Sequence, residues 1–217
     1  MFTGIVQDVG TVKAVDRRAN ALVLTIHSDE LTGLEPGDSV AVGGPCLTVV
    51  ETDRTAETFT VEVTPETYRR TTLRELGPDS PVNLESALQL NGDLGGHLVT
   101  GHVDGTGVVT DRRREEKARI YSIRPPEELL PYLAPKGSIA VDGVSLTVVD
   151  VDRTFSVSIT DFTEDETTLR QTGVGDEVNL EVDVIARYVE RLASSGVGTD
   201  DEGIDMMAKL GAMEGSR

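Results

Sequence analysis

The sequence predicts an all-β protein, barrel or sandwich, built from two tandem copies of one unit and followed by a single helix. Short apolar, β-branched runs alternate with glycine, proline and aspartate turns, the pattern of many short strands. The pattern then comes twice. Pro36 to Thr55 aligns with Pro135 to Thr154, Thr71-Thr72-Leu73 matches Thr167-Thr168-Leu169, and Val82-Asn83-Leu84-Glu85 matches Val178-Asn179-Leu180-Glu181. A repeat of this length makes two domains, not a solenoid of small units.

The first copy reads as strands over Leu22 to Ile26, Ser39 to Val42, Leu47 to Val50, Phe59 to Val63 and Val82 to Glu85. A turn, Glu35-Pro36-Gly37-Asp38, precedes the second of these. Thr67 to Leu76 suits a short helix or turn. The link between copies falls at about Ser86 to Asp93, so the domains are expected at 1–93 and 94–182. Beyond them Val184, Ile185, Tyr188, Val189 and Leu192 recur at helical spacing, with Arg187, Glu190 and Arg191 on the other side. Asp183 stands at the N-cap position, which predicts a helix over 183–195. Its apolar stripe can pack against a copy of itself or against its own barrel. The remainder, 196–217, is acidic and glycine-rich and reads as a flexible tail, in which Met206, Met207, Leu210 and Met213 could form a short apolar helix.

A formal net charge of −18 and a pI near 4.4 argue against nucleic acid or anionic membrane as partner, since both would repel the chain. Acids spread along the whole chain fit a halophilic surface; an ordinary acidic bacterial protein is the plainer alternative. One cysteine, Cys46, leaves no internal disulfide and no cysteine-rich zinc site. No apolar run reaches the roughly 20 residues that span a bilayer, and the N-terminus lacks the pattern of a signal peptide. The expected compartment is the cytoplasm.

The centre of the chain, Gly95-Gly96-His97-Leu98-Val99-Thr100-Gly101-His102-Val103-Asp104-Gly105, holds two of the three histidines. It also opens the second copy: Thr3-Gly4-Ile5-Val6 aligns with Thr100-Gly101-His102-Val103. Here the copies part, with Ile5 against His102 and, further on, Cys46 against Ser145. Imidazole suits proton transfer near neutral pH, so His102 is the first catalytic candidate. A histidine that merely bonds a strand end is the plainer reading. His97 is read as holding the glycine turn, and His27 as a surface residue. No third ligand accompanies the two motif histidines at sensible spacing, so no metal site is expected.

Met1-Phe2-Thr3-Gly4-Ile5-Val6, Cys46-Leu47-Thr48, Gly95 to Asp104, and Lys136-Gly137 with Asp142-Gly143-Val144-Ser145-Leu146-Thr147 together resemble the riboflavin synthase alpha-chain family, over nearly the whole chain. The resemblance implies a tandem pair of similar six-stranded Greek-key β-barrels plus a C-terminal α-helix. It implies that two molecules of 6,7-dimethyl-8-ribityllumazine dismutate by four-carbon transfer. The products are riboflavin and 5-amino-6-(D-ribitylamino)uracil, in the final step of riboflavin biosynthesis, without metal or organic cofactor. It implies a homotrimer whose sites form between the N-terminal barrel of one subunit and the C-terminal barrel of the next.

By the same resemblance His102, Cys46, Ser39 and Asp183 are catalytic candidates. The N-barrel pocket is expected to use Gly4, Ile5, Val6, Cys46, Leu47, Thr48, Glu62, Val63, Thr64, Pro65, Glu66 and Thr67. The C-barrel pocket is expected to use Gly101, His102, Val103, Ser145, Leu146, Thr147, Thr160, Asp161, Phe162 and Thr163, and Lys136 to reach a neighbour's substrate. The rival reading is a carrier of the same fold that binds lumazine or flavin without turnover. Three stretches depart from the family pattern: Gly43-Gly44-Pro45, the acidic run Thr160 to Glu166, and Arg112-Arg113-Arg114-Glu115-Glu116, which reads as a solvated loop.

Overall fold

The computed structural model describes residues 1–18 and 21–195. It contains two closed six-stranded barrels and three α-helices among the described residues. The first barrel comprises β1 (Asp8–Arg18), β2 (Ala21–His27), β3 (Ser39–Val42), β4 (Cys46–Asp53), β5 (Thr58–Val63) and β6 (Pro81–Ser86), in the order β1-β2-β5-β4-β3-β6. The second comprises β7 (Gly105–Glu115), β8 (Ala118–Arg124), β9 (Ser138–Val141), β10 (Val144–Val151), β11 (Phe155–Thr160) and β12 (Glu177–Val182), in the matching order β7-β8-β11-β10-β9-β12. All pairings are antiparallel. The jump from β2 to β5 makes the order a Greek key.

Strand alternation explains the cores. β4 runs Cys46 half-buried, Leu47 buried, Thr48 exposed, Val49 buried, and β10 repeats this with Ser145, Leu146, Thr147 and Val148. Successive side chains point to opposite faces, so valines and leucines fill the barrel while the polar residues between them face outward. The ladder shifts register after Val12 and again after Val109, and likewise after Val49 and Val148. An extra residue at a bulge bends a strand, and its recurrence at matching positions curves both barrels alike.

Each copy ends β5 or β11 in a short capped helix, α1 (Pro65–Arg70) or α2 (Asp161–Asp165). Thr64 accepts from the Thr67 N–H at 3.3 Å, and Thr160 accepts from the Thr163 N–H at 3.2 Å. Thr71 and Thr167 each donate to a carbonyl four residues back at 2.7 Å. The acidic run from Thr160 thus keeps the turn of the first copy, because the threonine caps survive. The third departure is corrected: Arg112 to Glu115 extend β7 and form no loop, and Arg112 bonds Glu164 at 2.6 Å.

The barrels meet about an approximate two-fold relation, visible in reciprocal contacts. Phe2 and Val99, equivalent positions of the repeat, form an antiparallel bridge. Asn83 donates to the Asp142 carbonyl and accepts from the Thr168 N–H; Asn179 donates to the Gly43 carbonyl and accepts from the Thr72 N–H, each at 2.8 Å. Gly44 (φ 112°) lies against its mate Gly143, and a Cβ on it would come 3.2 Å from the Gly143 nitrogen. That approach accounts for Gly44; Gly43 stands at φ 59°.

Asp142, the mate of Gly43, keeps some accessible surface, but its carboxylate lies deep in the cleft between barrels and accepts from the Asn179 N–H at 2.7 Å. Desolvation there pushes its pKa up to about 7.

Helix α3 (Val184–Ser194) starts at Asp183, whose carboxylate accepts from the Ile185 N–H at 2.9 Å. No α3 residue is buried, and Ile185, Tyr188, Val189 and Leu192 stay 55–69% exposed. The stripe is therefore not packed on its own barrel. The predicted tail and its methionine helix lie outside the described residues.

Candidate active site

Two buried glutamates build the entrances. Glu85, on β6, accepts from the Thr3 N–H and hydroxyl, each at 2.7 Å, and from the Gly4 N–H at 3.0 Å. Glu181, on β12, accepts from Thr100 and Gly101 at the same three distances. Burial raises the Glu85 pKa, against the pull of the Thr3 hydrogen bonds. Each carboxylate thus fixes the segment that leads into its own barrel.

Beyond these clamps the segments cross. The Gly4 carbonyl accepts from the Ser145 N–H of the second barrel at 2.7 Å, and the Gly101 carbonyl accepts from the Cys46 N–H of the first at 2.9 Å. Both glycines sit in the left-handed region (φ 75° and 78°). A Cβ would come 2.6 Å from the Ser145 Cβ in one case and 2.4 Å from the Cys46 Cβ in the other. The expected grouping is corrected accordingly: Gly4, Ile5 and Val6 border the Ser145 mouth, while Gly101, His102 and Val103 border the Cys46 mouth. The repeat aligns each segment with its own barrel, and nothing local tells a crossing segment from one that stays.

At the first mouth Pro45, Cys46, Glu66, Thr67, Arg70, Gly101, His102 and Val103 line a cavity of about 250 Å³. His102 is exposed, Cys46 half-buried and free. Ser39 lies opposite Thr48 in the β3–β4 ladder and does not line this cavity. Glu62 and Thr64 alternate outward on the neighbouring strand and its end, whereas Leu47, Leu146 and Val63 put their side chains into the cores. Bonds from Arg70 and then Arg69 hold the Glu66 pKa below its usual value.

At the second mouth stands His97. Its Nδ1 lies 2.7 Å from the Ser145 Oγ, its ring is buried, and its Nε2 has no partner among the described residues. Desolvation lowers its pKa, opposed by the charges of Asp183 and Glu181. Ile5 follows Gly4 at this mouth, and the repeat sets Phe162 and Thr163 against Glu66 and Thr67, while Asp183 caps α3. His97 was read from sequence as holding a turn. Its backbone N–H donates to the Thr3 carbonyl at 3.0 Å, which ties the glycine-rich segment to the N-terminal one. Its position five residues before His102 carried no sign that the ring would meet Ser145. Lys136 sits exposed at the turn before β9, at φ 68°. The motif histidines serve different mouths. Among the described residues the one trio with metal-ligand spacing is the partly exposed His27, Asp29 and Glu57.

Fold and mouths define a duplicated barrel protein with two related but chemically unequal ligand sites. The family profile of the lumazine binding domain matches twice, over residues 3–87 and 100–183. A riboflavin synthase of Actinobacillus pleuropneumoniae is 43% identical over 193 residues, covering 88% of this chain and 89% of that protein. One from Mycobacterium bovis is 46% identical over 200 residues, covering 90% and 99%. The crystal structure of LumP complexed with 6,7-dimethyl-8-(1'-D-ribityl) lumazine superposes with a TM-score of 0.76 at 27% identity, covering 84% and 99%. The chain belongs to the lumazine-binding domain family and, within it, to the riboflavin synthases. No helix among the described residues is long and apolar enough to cross a membrane.

Proposed function

We propose that the protein converts two molecules of 6,7-dimethyl-8-ribityllumazine into riboflavin and 5-amino-6-(D-ribitylamino)uracil. The observation that carries the reading is the pair of equivalent mouths with unequal side chains: Cys46 with His102 at one, Ser145 with His97 at the other. A reaction between two copies of one substrate needs two sites of one shape, while donor and acceptor need different chemistry. The two products together contain the atoms of the two substrates, so no external oxidant or reductant is required. Held ring to ring, the substrates gain the advantage of an intramolecular reaction.

In this reading His97 and Ser145 move protons at one ring. A neutral imidazole bonded to a hydroxyl can take a proton through it. His102, Cys46 and Ser39 serve the other ring, with Cys46, Ser39 or a water as the candidate nucleophile, and Asp183 orients the charge around His97. Thr48, Glu62, Thr64, Pro65, Glu66 and Thr67 at one mouth, and Thr147, Thr160, Asp161, Phe162 and Thr163 at the other, supply contacts to the ribityl chain. The main chain of Gly4 to Val6, Leu47, Val63, Gly101 to Val103 and Leu146 supports the ring edge.

The mouths of one chain belong to different sites, each completed by a neighbouring subunit in a homotrimer. The bare apolar stripe of α3 supports this assembly, and Lys136 reaches across it. The charge of −18 and the single cysteine fit a cytoplasmic enzyme of a salty cell.

The test is incubation of the purified protein with the lumazine, without additive, at low and high salt. One riboflavin formed per two lumazines consumed is expected. Binding with a spectral shift and no turnover in either salt would leave a carrier and remove the catalytic roles. Self-repulsion grows as salt is withdrawn, so rate and light-scattering mass should both fall; constancy of both would remove the salt-adapted reading.

A further inference from the structure

Next to the Cys46 mouth lies a larger cavity of about 790 Å³ between α3 and the segment that carries His102. Arg70, His102, Asp104, Arg187, Tyr188 and Arg191 are among its walls, and it shares Arg70, His102 and Val103 with the smaller pocket. Three guanidiniums therefore face one carboxylate, in a chain whose net charge is −18. A cationic cavity is unexpected on such a surface.

The three arginines are not equally engaged. Arg187 pairs with Asp104 and lies 5.7 Å over the Tyr132 ring. Arg70 is held by Glu66 and donates to the Asp104 carbonyl at 3.3 Å. Arg191 is exposed and forms no ion pair among the described residues. Arg187 and Arg191 stand one turn apart, on the flank of α3 turned away from Ile185, Val189 and Leu192; Tyr188, at the edge of the apolar stripe, also forms a wall of the cavity.

Among the described residues no such arginine-lined cavity adjoins the second mouth. The repeat sets Phe162 against Glu66, Asp165 against Arg69 and Glu166 against Arg70, which makes that rim acidic.

We infer that this cavity takes the phosphate of a phosphorylated ribityl chain, a flavin 5'-phosphate whose ring sits in the Cys46 pocket. A phosphomonoester carries about −1.5 to −2 charges at neutral pH and three acceptor oxygens. Guanidinium forks match that geometry better than water does. A sugar hydroxyl gains nothing from the same wall. The ligand would be the product of phosphoryl transfer to riboflavin, so its retention would block the first mouth and restrain synthesis when the phosphorylated flavin accumulates. The inference rests on the reading that the Cys46 pocket holds the ring.

The experiment titrates the full-length protein with riboflavin, flavin 5'-phosphate and inorganic phosphate. Flavin fluorescence and heat are followed at low and high salt, in wild type, Arg191→Ala and Arg191→Glu. The phosphorylated flavin should bind about tenfold tighter than riboflavin at low salt, with the advantage shrinking as salt rises. Both variants should lose that advantage and keep their riboflavin affinity, and inorganic phosphate should displace the phosphorylated flavin while leaving riboflavin bound. Equal affinities in wild type, or an advantage that survives Arg191→Glu, would overturn the inference. Failure of riboflavin itself to bind would overturn the ring pocket instead, and this inference with it.

Discussion

The two barrels close the same end with opposite chemistry. In the first, Val15 and Tyr68 pack against a core that includes Leu22 and Leu24. In the second, the equivalent places hold Arg112, Glu164, Arg119 and Tyr121. The Glu164 carboxylate accepts from Arg112 at 2.6 Å, from Arg119 at 2.9 Å and from the Tyr121 hydroxyl at 2.9 Å. Burial alone would raise the Glu164 pKa, but these partners hold it down, while desolvation and the bond to Glu164 push Tyr121 up to about 12. Arg112 also lies 5.4 Å over the Tyr121 ring. The ladder underneath is unchanged: Val15 faces Leu24 in one barrel as Arg112 faces Tyr121 in the other. Bulges, caps and glutamate clamps are shared, and the packing at this end is not. The fold therefore depends on the shared features, and the barrel end is free to vary as long as every buried charge finds a partner.

The largest effect is expected where that condition is broken. Glu164→Ala leaves two guanidiniums and a hydroxyl without their carboxylate and should cost roughly 3–5 kcal/mol. Tyr68→Ala, at the half-buried apolar counterpart, should cost about 1–2 kcal/mol. Moving the whole apolar set across (Arg112→Val, Arg119→Leu, Tyr121→Leu, Glu164→Tyr) should be neutral or stabilising, because no charge is left buried. Denaturant melts decide this, and equal costs for the two single variants would erase the distinction between barrel ends.

The mouths sharpen the comparison next. His97→Gln and His102→Gln should each lower kcat by about 10²-fold, with KM changing little. They should differ in pH dependence. His97 is held below an ordinary imidazole and stays neutral to lower pH, so the acid limb that it governs should lie below pH 6.5. A limb at or above that value, unmoved by His97→Gln, would remove His97 from proton transfer.

A smaller effect separates Gly43 from its mate Asp142. The folded state raises the Asp142 pKa from 3.8 to about 7, so the ionised form burdens the native protein above pH 7. That burden shrinks as pH falls from 7 towards 3.8 and is absent below. Asp142→Asn should thus stabilise most at pH 9 and by progressively less in acid. A pH-independent difference would mean that the carboxylate is solvated in the native state.

Much of this was legible in the residues. Strand alternation, the duplicated Leu-Thr-Val-Val run and the N-cap at Asp183 point to two all-β copies and the last helix, because these signals are local, while the choice of barrel over sandwich rests on the family resemblance. The sequence names candidate residues but not which of them the fold brings together. Which mouth Gly4 and Gly101 touch depends on the path of two short segments between barrels, and both paths have one sequence. The Arg112 run looked solvated because charges usually are. Its buried partner Glu164 lies 52 residues away, beyond the reach of any periodicity.

The bridge between Phe2 and Val99 and the contact between Gly44 and Gly143 each join a residue to its own counterpart in the repeat. Asn83 and Asn179 do the same at one remove. Such a surface is self-complementary: each barrel carries both halves of the contact it makes with the other. The link between the copies then acts as a tether that raises local concentration and adds no affinity of its own. A lone first barrel would meet a second copy of itself through Phe2, Gly44 and Asn83. It would form a symmetric pair with two identical mouths, which is a geometry for holding two lumazines alike but not for making them react differently.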